Sequence, residues 1–341
     1  MKVRESKFEL LRIIGMFLIV LSHYCLHSGF NLEIITNYNK FFIQFFALGN
    51  IGVNIFVVLS GYFYKSFNGS IGKILKLESE IWFYTISGLI ISTILGFTII
   101  CKTTIMQTIF PIITDQYWFM TTYILLMIIA PIINRYLIDL EFKNLSWIVG
   151  ILFVTLSIVP TIVNKPIIES KLLEFIFLYL LGAFLSKSKN EKWNKKFLGL
   201  ISTILCVLWM IFQIIYTTNT TNKTNLFVYG RMDIVSIVLI CGIIIFFENI
   251  KIKNNKIVNT ISKTTLGIYL LHEYPNYVVP LWQDLFKGKN YGDSPYMIIH
   301  MFMCVFVVFI IGVLINFIYQ FLFSSIQNII TNRKNRIIAK Q

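Results

Sequence analysis

Ten apolar runs of roughly 20 residues, separated by short polar connections, constrain this 341-residue chain more than any other feature. A run of that length crosses a bilayer as a helix, which satisfies its own backbone where no water is present. The runs cover roughly 8–27, 42–64, 77–100, 117–137, 146–163, 172–186, 197–216, 232–248, 264–282 and 296–323. Only 13% of residues are charged and 56% are hydrophobic, against roughly a quarter charged in soluble domains. The expected fold class is therefore an all-α integral membrane bundle of about ten transmembrane helices. It comprises one transmembrane domain over 1–323 and a short basic tail over 324–341.

Orientation follows from the basic residues. With the N-terminus inside, 21 of the 30 Lys and Arg fall on inner connections and 8 on outer ones, with Arg12 left inside a span. This alternation predicts N-in and C-in topology. It also accounts for the net charge of +14 without nucleic acid, because no aromatic-interleaved basic patch stands outside the runs. Lys2, Arg4 and Lys7 precede the first run as in a signal peptide. That run holds Arg12 and lacks a small-x-small cleavage site, so it reads as a retained span. The cysteines form no Cys-x-x-Cys pair, and a single Cys25–Cys101 bridge stays open beside the reading of five buried thiols.

The first run carries the sharpest chemical signal. Eleven positions separate Arg12 from His23, three helical turns plus about 20°, so both project from one face about 16 Å apart along the axis. Ionisable groups held within a membrane are functional candidates. Arg12 can alternatively snorkel to the headgroups, with Glu9 as its local ion-pair partner, and His23 can be a packing histidine. His27 stands at i+4 from His23, a spacing that suits a metal pair, but no third ligand is evident and no metal is expected.

Further candidates are spread along the chain. The stretch from Gly49 to Tyr64 holds Asn54 and Ser60; its glycines suit close helix contact, and Ser60 has no adjacent base. Lys73 and Lys76 form an i,i+3 basic pair read either as ordinary inner-face charge or as a phosphate site, with Glu78 and Glu80 as pairing partners. Trp118 and Tyr123 fit an interfacial aromatic belt. Tyr269, His272 and Glu273 fall near mid-membrane in the ninth run, which Pro275 is expected to kink beside a cavity.

Four of these pieces together resemble the membrane-bound acyltransferase 3 family, in its branch that O-acetylates bacterial surface polysaccharides. They are Glu9-x-x-Arg12 with His23, Gly52-Val-x-x-Phe-x-x-x-Ser60-Gly61-Tyr62, Tyr117-Trp118-Phe119 with Tyr123 and Pro131, and Gly267-Ile-Tyr269-Leu-Leu-His272. The resemblance implies a multi-pass protein of the bacterial cytoplasmic membrane that takes an acyl group, usually acetyl, from cytosolic acetyl-CoA. The acceptor it implies is a hydroxyl of a surface or lipid-linked glycan. Arg12 and His23 match the family's essential pair, while Lys73 and Lys76 stand where many members carry Arg-x-x-Arg for the donor. Lysine there removes bidentate phosphate recognition.

Chemistry fits His23 as general base, with a transient acyl-histidine as the variant. Arg12 would hold donor phosphate or stabilise the thioester oxyanion. The rest of the path would fall to Glu9, Asn54, Ser60, Trp118, Tyr123, Tyr269, His272 and Glu273. No esterase-like module follows the tenth run, so direct transfer by the bundle or a separate partner is expected. The rival reading is a transporter or flippase for a glycan precursor, whose usual mark, internal repeats, is not found.

Overall fold

The computed structural model describes residues 5–32, 35–67, 69–220 and 230–338, and among them every regular element is helical. Lys2, Arg4, Lys223 and Lys340 of the topology argument lie outside the described residues. In chain order the helices are α1 (Ser6–His27), α2 (Asn37–Ala47), α3 (Ile51–Tyr62), α4 (Ile71–Ile94), α5 (Lys102–Ile109), α6 (Trp118–Asp139), α7 (Phe142–Phe153) and α8 (Val159–Val163). They continue as α9 (Lys171–Lys187), α10 (Lys196–Thr220), α11 (Ile234–Asn249), α12 (Lys256–Ile261), α13 (Thr265–His272), α14 (Val278–Pro280) and α15 (Met297–Ile338).

Six helical segments among the described residues are long and apolar enough to cross a membrane: Ser6–His27, Asn37–Tyr62, Trp118–Asp139, Phe142–Val163, Lys196–Thr218 and Met297–Ser325. The other predicted runs also fall on helices but miss that standard. The start of α4 carries Lys73, Lys76, Glu78 and Glu80, and α9 and α11 have 17 and 16 residues. Apolar side chains cover the outside of the bundle, among them Leu205, Trp209 and Phe212 on α10 and Phe306, Ile310 and Phe321 on α15. A continuous greasy exterior of this kind is stable only against lipid or another protein.

The ninth run differs from its expectation. It is not one kinked helix: α13 stops at His272 after 8 residues, residues 273–277 are irregular, and helix resumes only at Val278. Helical turns run without a break from Lys256 through α12 and Ser262–Thr264 to His272, 17 residues and about 25 Å, against a bilayer core of about 30 Å. The cause is Pro275, which disfavours helical geometry at Tyr274 and lacks an amide hydrogen. As a result Glu273 sits at the end of α13, with its amide bonded back to Tyr269 O at 3.1 Å.

Helix α1 lies at the centre, packed against α2, α3, α12, α13 and α15, and Val20 and Tyr24 are completely buried. Its contact with α3 is backbone to backbone. A Cβ on Gly52 would stand 2.2 Å from Gly15 O. On the next face of α3, a Cβ on Gly61 would stand 1.9 Å from Tyr179 O of α9. The glycines of this stretch thus serve helix approach. Beyond α3, Asn134 of α6 donates to Tyr64 O at 3.0 Å and Phe67 O at 2.7 Å, and accepts from Tyr179 Oη at 2.7 Å. All five cysteines are unpaired, Cys25 buried and Cys101 exposed.

Because the contact is between backbones, no rotamer relieves it. Gly52→Ala and Gly61→Ala should each destabilise the bundle by roughly 1–3 kcal/mol or more. Heating detergent-solubilised protein and measuring the remaining monodisperse fraction checks this. A midpoint equal to that of the parent would show that the helices can separate freely.

Candidate active site

Arg12, Met16, Ile19 and His23 recur every three or four residues along α1 and line one side of a cavity of about 190 Å³. Opposite them stand Trp118, Phe119 and Tyr123 of α6 and Tyr269 of α13, with Leu77 of α4 closing the Arg12 end. The shared face expected of Arg12 and His23 therefore opens on a common interior space. Both side chains point inward, away from lipid.

Arg12 is held by its neighbour. Nη1 donates to Glu9 Oε1 at 2.7 Å, and Glu9 Oε2 accepts from Ser262 Oγ at 2.5 Å. Glu9 is 5% exposed, so its carboxylate forms a buried clamp and not a cavity wall. The guanidinium also lies 5.9 Å from the Phe63 ring centre.

At the other end of the stripe, His23 meets two residues from the far end of the sequence. His23 Nδ1 and His272 Nε2 are 2.9 Å apart, and His272 Nδ1 lies 2.6 Å from Ile268 O. A carbonyl oxygen only accepts, so His272 carries its proton on Nδ1. Its Nε2 then accepts from His23 Nδ1–H when His272 is neutral. That leaves His23 Nε2 unprotonated in the neutral ring, and among the described residues it has no hydrogen-bond partner. Glu273 Oε2 lies 2.5 Å from His23 Nδ1 but off the axis of its N–H, and Glu273 Oε1 is 3.7 Å from His27 Nε2. The carboxylate therefore faces both rings as a counter-charge.

The third ligand missing from the sequence reading is thus present in space: His23, His272 and Glu273 offer donor atoms within 4.8 Å of one another. Two nitrogens bound to one tetrahedral ion stand roughly 3.3 Å apart. His23 Nδ1 and His272 Nε2, 2.9 Å apart, are hydrogen-bonded to each other, and Glu273 Oε2 stands 2.5 Å from the same His23 nitrogen.

The remaining candidates sort by position. Ser60 Oγ donates to Phe56 O at 2.8 Å and so accepts from Tyr123 Oη at 2.9 Å. It anchors a wall tyrosine and is not aimed at the cavity. Tyr123 and Trp118 line the interior cavity. Trp118 is flanked by two cations, the Arg231 guanidinium 4.5 Å and the Lys171 ammonium 5.2 Å from its ring centre. Arg231 is paired with Glu174 at 2.9 Å. Sequence reading placed Arg231 only in a loop; a lone arginine between two apolar runs was the available signal. Asn54 donates to Arg231 O at 2.7 Å and is structural. Tyr269 is 5% exposed, and its hydroxyl has no hydrogen-bond partner among the described residues. Lys73 and Lys76 are exposed on the first turns of α4 and do not line the cavity. Glu80 accepts from Asn316 Nδ2 at 2.6 Å and feels the charge of Lys76.

Among known proteins, a family model described as an acyltransferase domain matches residues 5–321. Searches of curated proteins and of solved structures returned no match. In an acyl transfer based on His23, the Glu273 carboxylate would position that ring. Glu273→Gln keeps its size and removes its charge, and should lower kcat about 10–100-fold with the donor KM unchanged. Steady-state kinetics that show a pure KM effect would place Glu273 elsewhere.

Proposed function

The chain belongs to the acyltransferase 3 family, and we propose that it moves an acetyl group from cytosolic acetyl-CoA to a hydroxyl of a bacterial cell-surface or lipid-linked glycan. It would do so in the cytoplasmic membrane as a ten-span protein with both termini inside. The observation that carries this reading is the common cavity of Arg12 and His23, with the proton of His23 committed to Nδ1 and Nε2 left as the basic atom.

In this scheme the acceptor hydroxyl gives its proton to His23 Nε2 as its oxygen attacks the thioester carbonyl. The carbon–sulfur bond then breaks, and the imidazolium returns the proton to the departing thiolate, leaving an ester and free coenzyme A. Glu273 stabilises the transient imidazolium. The unpartnered Tyr269 hydroxyl is a donor for the carbonyl oxygen as it gains charge.

The size of the cavity supports a small acyl group. About 190 Å³ is below the usual range of roughly 300–1,000 Å³ for sites that enclose a whole ligand. It suits the slender thioester end of the donor, with the nucleotide left outside. Arg12 stands about 16 Å along the helix from His23, a separation that assigns it to the donor's anionic portion and not to the reacting carbonyl.

Transfer of radiolabelled acetyl from acetyl-CoA to membrane glycans tests the whole reading, since a transporter would give none. His23→Ala should abolish transfer while the protein still inserts and accumulates; retained transfer would remove His23 as base. Tyr269→Phe should lower kcat about 100-fold, and an unchanged kcat would remove the oxyanion role.

A further inference from the structure

The end of the bundle that carries Lys7 and Arg12 holds a second cavity, of about 380 Å³, which shares no lining residue with the first. Lys65, Lys187 and Lys189 line it, together with Ser186 and Asn190. Lys65 comes from the turn after α3, Lys187 from the end of α9 and Lys189 from the turn that follows, so three lysines from two segments line one concavity. No acidic residue lines it.

Two carboxylates act on its lysines, Asp139 on Lys187 and Glu248 on Lys189, and Glu248 is already engaged. Glu248 Oε1 accepts from Tyr62 Oη at 2.8 Å and Oε2 from Asn194 Nδ2 at 3.0 Å, with Lys189 Nζ 3.7 Å away. Lys189 also lies 4.7 Å from the Tyr62 ring centre, and Lys187 Nζ donates to Leu140 O at 2.5 Å. Two of the three ammonium groups are therefore fixed in place, and the cavity keeps an excess of positive charge. Lysine ammonium groups are compact point charges that suit phosphate, and Ser186 and Asn190 add neutral polar groups.

We propose that this cavity is a phosphate-ester site formed by Lys65, Lys187 and Lys189. Two sources share that chemistry: the nucleotide end of the acyl donor, which rests on the function proposed above, and the headgroup of an anionic phospholipid, which does not. The first source would explain how a catalytic cavity too small for the whole donor still holds it, and why exposed Lys73 and Lys76 need not.

The test uses the full chain in nanodiscs with two probes, adenosine 3′,5′-bisphosphate and phosphatidylglycerol diluted into phosphatidylcholine. Lys65→Gln with Lys189→Gln should weaken one probe roughly thirtyfold. Lys192→Gln with Lys195→Gln, exposed lysines at the same end of the bundle, should leave it unchanged. Lys65→Arg with Lys189→Arg should restore binding and so exclude misfolding. Loss of the nucleotide assigns the donor, and loss of the lipid assigns the headgroup. Probe binding that is equal in the pocket and control variants, or absent throughout, overturns the site. Acetyl transfer in a protein whose probe binding ignores these lysines would refute the pocket alone. Lysine-dependent binding in a protein that transfers nothing would refute the acyl-transfer reading alone.

Discussion

The carbonyl of Ile268 accepts a hydrogen bond from His272 Nδ1 at 2.6 Å, and the protons of the site are ordered from that bond outward. An oxygen that cannot donate fixes one histidine tautomer. That tautomer directs the His23 proton to Nδ1 and leaves Nε2 bare. The same logic operates in metal and hydrolytic sites, where the bond made by one ring nitrogen sets the role of the other. Here the orienting group is backbone, so its direction depends only on α13 keeping its helical shape. Glu273, at the helix end created by Pro275, supplies the charge that a carbonyl cannot.

The surrounding bundle makes this arrangement possible. In lipid there is no water to satisfy stray polar atoms, and the site answers by chaining them: Ser262 to Glu9 to Arg12 at one end, Ile268 to His272 to His23 at the other. Both chains run between α1 and the segment around α13. That segment is short and broken, yet it supplies the partners for both ionisable residues of α1. Within its irregular stretch Tyr274 is buried and Pro275 exposed, and Trp282 beyond it is completely buried.

Period and spacing made part of this legible in the sequence. Arg12 and His23 share a face by helical geometry alone, and the apolar runs located most of the helices to within a few residues, while α4 begins and ends six residues before its run and α15 continues 15 residues past its own. What stayed hidden was contact across the chain. His23 and His272 are 249 residues apart, and nothing local says that the second ring reaches the first. Trp118 reads as interfacial from its place at a span end; that it lines a cavity with Arg231 and Lys171 against its ring is set by distant segments. Lys73 and Lys76 stand where the family resemblance puts a donor clamp, and the fold leaves them exposed outside the first cavity. The broken ninth run was misread because Pro275 marks a kink and a termination equally well; only the irregular residues 273–277 separate the two.

The glycine contact between α1 and α3 has a consequence for substrate range. Two helices that touch through Gly15 and Gly52 cannot move closer, and moving apart would cost the packing that holds α1 central. On that side the main-chain contact fixes the spacing of the two helices that carry the wall residues Met16, Ile19, Val53 and Phe56, like the spacing of two rails. The adjustable side is the aromatic one, where Phe119, Tyr123 and Tyr269 stand as removable panels. A relative adapted to a bulkier acyl group would therefore be expected to differ in those three rings while keeping both glycines.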